Sequence, residues 1–383
     1  MNHANIRNTG RPYGAAARIP SIASVPSNAA HCRRPTLLKS FGALAAALLF
    51  CAAPAHAESA DQGPNDAIYQ YRGADRDQQL LDKARQEGTF TWYTSMTPPE
   101  SGPLAQAFEK KYGIKVDIWR ASGNKVMQRA ITEGQARHFT FDVVETSGAA
   151  VEMVAREKLL SPFFSPYLAD LPPDAIPKSR LWVSDRINFF VVAYNTKKFK
   201  REDIPTTYEG FLDPKWKGQI GIEVDDAYWM ATIVKKLGPE RGAKLFEQLS
   251  AMKPDVRTGH IVLTGLVAAG EVPVSLTNSN SAVESLKRRG APIDWVPVEP
   301  VVGEGLGLAV AKNAPHPHAA LLFADFVLSP DGQELLNTMG RVPASTKVKS
   351  YLKNFPFTMM DSVTLLDEDK KWQTQWNNLF LKK

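Results

Sequence analysis

An α/β architecture of two lobes, each a sheet flanked by helices and joined by a two-segment hinge, is what this sequence predicts. Hydrophobic periodicity switches repeatedly between 2 and 3.6 residues, the mark of alternating strands and helices. The first series of strand–helix units breaks off near residue 190. A second series follows, and the last third resumes the first, so the chain crosses twice between lobes. With 383 residues, 44% hydrophobic and 22% charged, the sequence is long enough for two cores and ordinary in composition.

Residues 89–95 (TFTWYTS) read as a strand, followed by a helix that turns Leu104, Ala107 and Phe108 to one face and stops at Gly113. Ile114, Val116 and Ile118 alternate as a second strand. Ser122 caps a helix carrying Val126, Ala130 and Ile131, and residues 141–145 form a third strand with Ser147 as the next cap. A long strand over 187–195 leads through 208–218 into the second series. Its strands lie at 219–224, 272–277 and 293–298, and its helices at 227–237, 239–252, 261–269 and 282–289. A strand at 305–311 and helices at 315–328 and from Pro330 rejoin the first series. Trp372, Trp376 and Leu379 share a helix face that docks on the body. The division is then a leader over 1–57, a polar linker over 58–77, a first lobe of 78–190 plus 299–383, and a second lobe of 191–298. Hinge segments at 191–194 and 296–301 lie beneath a cleft.

The formal charge of +6 comes from the front of the chain. Residues 1–57 hold six basic side chains and no acidic one, leaving 40 basic and 40 acidic beyond them. No electrostatic case for a nucleic-acid partner remains. Arg33, Arg34 and Lys39 precede an apolar run over 41–53, and Ala55-His56-Ala57 places small residues at the cleavage positions, so the leader reads as an export signal with the mature chain starting at Glu58. Thr36 stands where a twin-arginine signal has an aromatic residue, which favours general secretion, and Phe50 before Cys51 argues against lipid attachment. No later stretch is apolar for eighteen residues, and the expected location is the periplasm.

Both cysteines, Cys32 and Cys51, fall in the leader, which removes disulfide, thiol-nucleophile and thiolate-metal chemistry from the mature chain. His138, His260, His316 and His318 form no two-histidine helical spacing, and neither a metal ligand set nor a cofactor motif is expected. Ligands in open α/β sheets sit beyond the carboxyl ends of strands. Four such junctions are rich in small polar residues: Ser95 and Thr97; Ser122 and Asn124; Thr146 and Ser147; Thr277, Asn278 and Asn280. Helix N-termini there suit a carboxylate, phosphate or phosphonate, although the same residues are ordinary caps. Arg257 is either a clamp on an anion or a surface arginine. Tyr228 and Trp229, after Glu223, Asp225 and Asp226, either hold a cationic solute or stand in the core. Glu304, where the chain returns to the first lobe, is placed at the cleft.

The segment YEGFLDPKWKGQIG at 208–221 resembles the helix–turn–strand segment of bacterial extracellular solute-binding proteins. TWYTS at 91–95 with PLAQAFEKKYGIKV at 103–116 is similar to their opening unit, FDVVETS at 141–147 to their third strand, and LFADFVLSPDGQ at 322–333 to a later one. The resemblance runs from about residue 80 to 348 and points to the ferric-iron, thiamine, polyamine and phosphonate branch of ABC importer receptors. It implies a type II-like periplasmic-binding-protein fold and a monomer that takes a small-molecule solute into the interlobe cleft, closes, and delivers it to an inner-membrane permease. Ferric members hold iron with a histidine, an acid and adjacent tyrosines. Thr97, Ser147, Asn280 and Ser281 stand at those positions here, and neutral groups do not replace the anionic oxygens that Fe(III) needs. The alternatives are a receptor for ferric iron or its chelate, a sensor partner on the same fold, and a secreted enzyme, for which no catalytic motif is found.

Overall fold

The computed structural model describes residues 62–382. The leader, its cleavage pattern and Glu58 lie outside the described residues. Part of the stretch read as a linker is built into the body: α1 (Asp66–Tyr69) buries Tyr69, whose hydroxyl donates to the Ala311 carbonyl at 2.9 Å. α2 (Arg76–Glu87) leads to β1 (Thr89–Thr94), α3 (Pro98–Tyr112), β2 (Lys115–Arg120), α4 (Gly123–Gln135), β3 (Val143–Ser147) and α5 (Gly148–Arg156). β1 lies between β2 and β3, parallel to both, as strands joined by helices must. Gly113 ends α3 at φ 77°, the left-handed conformation that glycine accepts without strain.

After β4 (Leu160–Ser161), β5 (Val183–Asn195) begins four residues earlier than the apolar pattern indicates. Asp185 and Arg186 interrupt that pattern, yet both are buried, because each neutralises the other within the strand. The second series runs β6 (Ile220–Glu223), α6 (Ala227–Leu237), α7 (Pro239–Ala251), β7 (Asp255–Arg257), α8 (His260–Ala269), β8 (Val274–Ser279), α9 (Asn280–Arg288) and β9 (Ile293–Val296). β10 (Val302–Ala311), α10 (Pro317–Leu328), α11 (Pro330–Thr338) and β11 (Val342–Pro343) return to the first. β12 (Thr358–Met359), α12 (Ser362–Asp367) and α13 (Asp369–Trp376) finish the chain.

The strands form one curled sheet in the order β2-β1-β3-β10-β5-β8-β6-β7. Its two central strands, β5 and β10, are antiparallel and join two sets of cores. Phe90, Trp92, Phe108 and Phe323 centre one side, with Val144, Val151 and Trp182 in a smaller cluster behind. Trp216, Trp229, Phe246 and Trp376 centre the other. β5 supplies Val183 to the first and Val192 and Tyr194 to the second, so a single strand crosses between lobes. Ladder irregularities at Val191/Ala193 and Leu306/Gly307 mark where these strands bend.

The C-terminal residues depart from the expected division. Met360, Leu365, Trp372 and Trp376 pack in the second core, so the chain crosses a third time. On the way, Asp367 meets Arg156 of α5 at 2.7 Å and Glu368 meets Lys235 of α6 at 2.9 Å. Among the described residues no helix is long and apolar enough to cross a membrane.

Candidate functional site: the cleft over the crossing strands

A cleft of about 630 Å³ opens over β5 and β10 and is walled by the start of α3 on one side and by α8 and α9 on the other. Its first wall is built on a buried cation. Arg186, 2% exposed, forms an ion pair with Glu145 at 2.7 Å and donates to Asp185 at 2.9 Å, and both acids are fully buried. Thr94 donates its hydroxyl to the other oxygen of Glu145. Burial pushes the Asp185 carboxyl up to about 6, with the nearby Glu145 charge adding to it and Arg186 opposing. Burial works against the Arg186 charge as well, but the two carboxylates outweigh it and hold its pKa raised. Beside this group Arg341 meets Glu100 at 3.3 Å, and Glu100 also accepts the Thr97 N–H at 3.1 Å.

The second wall gathers three residues from different elements. Glu223 ends β6 and accepts N–H bonds from Gly259 at 2.8 Å and Asp225 at 2.6 Å. Asp226, at the start of α6, lies 3.1 Å from His260 Nε2 at the start of α8. His260 is pushed up to about 9: burial opposes its charge, but Asp226, Glu223 and Glu304 outweigh burial. Glu304, on β10, lines the cleft, and its carboxylate forms no hydrogen bond or ion pair among the described residues. Burial, opposed by His260 and reinforced by Asp226, pushes it up to about 7.

Of the residues singled out in the sequence, Ser95, Thr97, Ser281 and Glu304 line this cleft. Thr277, Asn278 and Asn280 are fully buried behind its wall. Thr277 accepts the Glu223 N–H at 2.9 Å, Asn278 accepts from Thr264, and Asn280 accepts the Phe189 N–H at 3.1 Å, so these side chains brace the wall. Thr146 is fully buried, and Ser147 caps α5 by accepting the Ala150 N–H at 3.4 Å. Ser122 and Asn124 are exposed at the start of α4, outside the cleft. Trp229 stands in the second core, its indole donating to the Tyr208 hydroxyl at 3.3 Å, and Tyr228 donates to Asp369 at 2.8 Å, so neither lines the cleft. Arg257 pairs with Asp255 at 2.6 Å in β7 and does not line the cleft, which removes the proposed clamp. Arg257→Ala is therefore expected to leave solute affinity within about twofold and stability within about 0.5 kcal/mol, checked by titration and thermal melting.

Sequence reasoning missed Arg186, Arg341 and Glu100, and saw no ligand set in Glu223, Asp226 and His260. The Asp185–Arg186 pair inside a strand was the available signal, since charges enter a central strand only as partners. His316 and His318 are not a ligand pair, for they bond separate acids, Asp142 at 3.0 Å and Glu87 at 2.7 Å.

Carboxylates buried behind both walls of the cleft counter the anion that the helix N-termini indicate. On the first wall Arg186 and Arg341 face Asp185, Glu145 and Glu100. On the second, His260 faces Glu223 and Asp226. Counted with the acids buried behind it, each wall carries one more carboxylate than cation, and Glu304 adds a third; among the residues that line the cleft itself, Arg186, Arg289, Arg341 and His260 stand beside Glu100 and Glu304. The N-termini of α3 and α8 are already faced by the protein's own Glu100 and Glu223.

These shifts set a pH dependence. His260 has its pKa raised from 6.5 to about 9, so its contribution to stability is complete below pH 6.5 and disappears as pH rises through 9. Glu304 is raised from 4.5 to about 7, and its contribution likewise declines as pH passes 7. Folding stability is expected to fall by about 2 kcal/mol across these windows, allowing for screening of the solvent-facing third of the imidazole. His260→Gln should flatten the upper half, measured by denaturant melts at each pH; an unchanged slope would contradict the Asp226–His260 pairing.

The comparisons agree with this architecture. The family described as "Bacterial extracellular solute-binding protein" matches residues 103–356. A Fe(3+)-binding periplasmic protein of Serratia marcescens is 25% identical over 248 residues, 60% of this chain and 71% of its own. A major ferric iron-binding protein of Neisseria meningitidis is 22% identical over 296 residues, 71% of this chain and 86% of its own. Iron-bound HitA of Pseudomonas aeruginosa superposes with a TM-score of 0.66 at 23% identity, covering 76% of this chain and 99% of that one. The fructose-6-phosphate-bound protein AfuA of Actinobacillus pleuropneumoniae gives 0.65 at 23% identity, covering 78% and 100%. The matched segment spans most of both lobes and contains Arg186, Glu223, Asp226, His260 and Glu304. With its cleft over two crossing strands, the chain belongs to the bacterial extracellular solute-binding proteins, the receptors that serve ABC importers.

Proposed function

We propose that the protein is a monomeric periplasmic receptor that encloses a small solute bearing a positive centre between its lobes and presents it to an inner-membrane permease. The lobes are residues 78–190 with 299–357, and 191–298 with the C-terminal helices. The observation that carries this reading is Glu304, a carboxylate with no bonded counter-charge among the described residues, facing a cleft with further carboxylates buried behind both of its walls. A cation entering there meets a carboxylate that burial has pushed up to about 7, and its charge favours the ionised form. The names of the Serratia and Neisseria relatives, which refer to ferric iron, point in the same direction.

Native mass spectrometry of protein recovered from the periplasm should reveal a co-purified solute. Scattering with and without that solute should show compaction as the lobes close. Glu304→Gln is expected to weaken binding roughly tenfold to a hundredfold, the equivalent of about 1.5–3 kcal/mol for a charge-assisted bond. An anionic solute held equally well by the variant would overturn the reading.

A further inference from the structure

We propose that Glu223, Asp226 and His260 form a binding site for a first-row transition-metal ion, reached from the cleft beside His260. This deepens the cationic-solute reading and rests on it. The three side chains come from the end of β6, the start of α6 and the start of α8, and each offers a donor atom within 4.8 Å of the others. Two donors bound to one ion at about 2.1 Å stand roughly 3.0–3.4 Å apart. Asp226 and His260 already hold that separation, at 3.1 Å.

A second observation points to a ligand. Asp226 is 4% exposed, and its second oxygen, Oδ2, has no hydrogen-bond partner among the described residues. A buried carboxylate oxygen without a partner is costly, and an ion bound in front of it removes that cost. Glu223 is fixed by the N–H groups of Gly259 and Asp225, which orient the carboxylate while leaving lone pairs free on each oxygen.

Two carboxylates and one imidazole suit borderline and hard ions such as Mn(II), Fe, Co(II) and Zn(II). Three protein donors leave coordination positions open, and His260 places the site at the edge of the cleft, as expected of a site that must release its ion. The site does not use the positions of Asn280 and Ser281, where ferric receptors carry tyrosines; Asn280 here is fully buried and bonded to the backbone of Phe189.

The test titrates chelator-stripped, exported protein with Co(II) alone and with Zn(II) alone, by calorimetry and by native mass spectrometry. One ion per chain is expected, with a visible Co(II) band that shifts when nitrogen is lost from the coordination sphere. Asp226→Asn and His260→Ala should each weaken binding at least a hundredfold, and His260→Ala should abolish the nitrogen-dependent band. His316→Gln, at a separate acid pair, should change neither. Because Asp226→Asn can disturb the start of α6, circular dichroism accompanies each variant, and His260→Ala, at a partly exposed position, carries the result if the aspartate variant misfolds.

Absence of a bound ion at tenfold excess, or binding unaltered in both variants, would overturn the metal site. If an organic cation then bound with compaction and lost affinity in Glu304→Gln, the receptor reading would stand without the metal. If neither metal nor organic cation bound, both readings would fall.

Discussion

Substituting Arg186 by methionine is expected to cost about 3–5 kcal/mol, a large share of the stability of an ordinary domain. Methionine preserves much of the volume, so the effect isolates charge. Asp185 and Glu145 are fully buried and would be left facing one another without the guanidinium that both contact. The loss should also depend on pH in a definite direction. Without Arg186 the folded pKa of Asp185, already raised to about 6, rises further, so the variant should regain stability on acidification and lose it as pH rises through the new value. Urea melts at acid and neutral pH check this, and adding Asp185→Asn should return part of the loss. A variant as stable as the parent at neutral pH would mean that the two acids are not ionised together in the folded protein.

Trp376→Ala is the second large effect, expected at about 3–5 kcal/mol. Its side chain is fully buried, meets Trp229 edge-on at 6.4 Å between ring centroids, and donates its indole N–H to the Val224 carbonyl at 2.6 Å. Val224 stands between Glu223 and Asp226, so the truncation loosens the strand end that aims both acids. The variant should therefore lose solute affinity as well as melting temperature. Calorimetry reads the first and thermal melting the second; a loss of stability below about 1 kcal/mol would show that α13 contributes little to the second lobe.

Strongly periodic elements were legible in the sequence. α6 was read to the residue because its apolar face is continuous and a Gly-Pro pair closes it. The start of β5 was not, because Asp185 and Arg186 look like surface residues until Glu145, forty residues earlier, is brought against them. The candidate site suffered from closeness along the chain. Tyr228 and Trp229 follow the acids in sequence, but α6 carries them away from the cleft into bonds with Asp369 and Tyr208. Arg257 seemed free although Asp255, two residues before it, shares its face of a strand. His260 and Asp226 are 34 positions apart, and only the pairing of β6 with β7 brings α8 beside α6. The Trp372 and Trp376 stripe correctly indicated docking, but a stripe does not say which core receives it.

Asp367 and Glu368 are neighbours in the chain, about 3.8 Å apart at Cα, and they reach to helices of opposite lobes. A rigid rotation that keeps both ion pairs must have its axis near this point, since elsewhere the pairs would be pulled apart. Displacement then grows with the lever arm: spin labels at the exposed neighbours 157 and 236, which leave both ion pairs in place, should report almost constant separation, while labels at 97 and 261, across the mouth, should report the full stroke. Each surface pair contributes at most about 1 kcal/mol, so raising ionic strength should free the pivot and broaden the distribution of openings without unfolding either lobe.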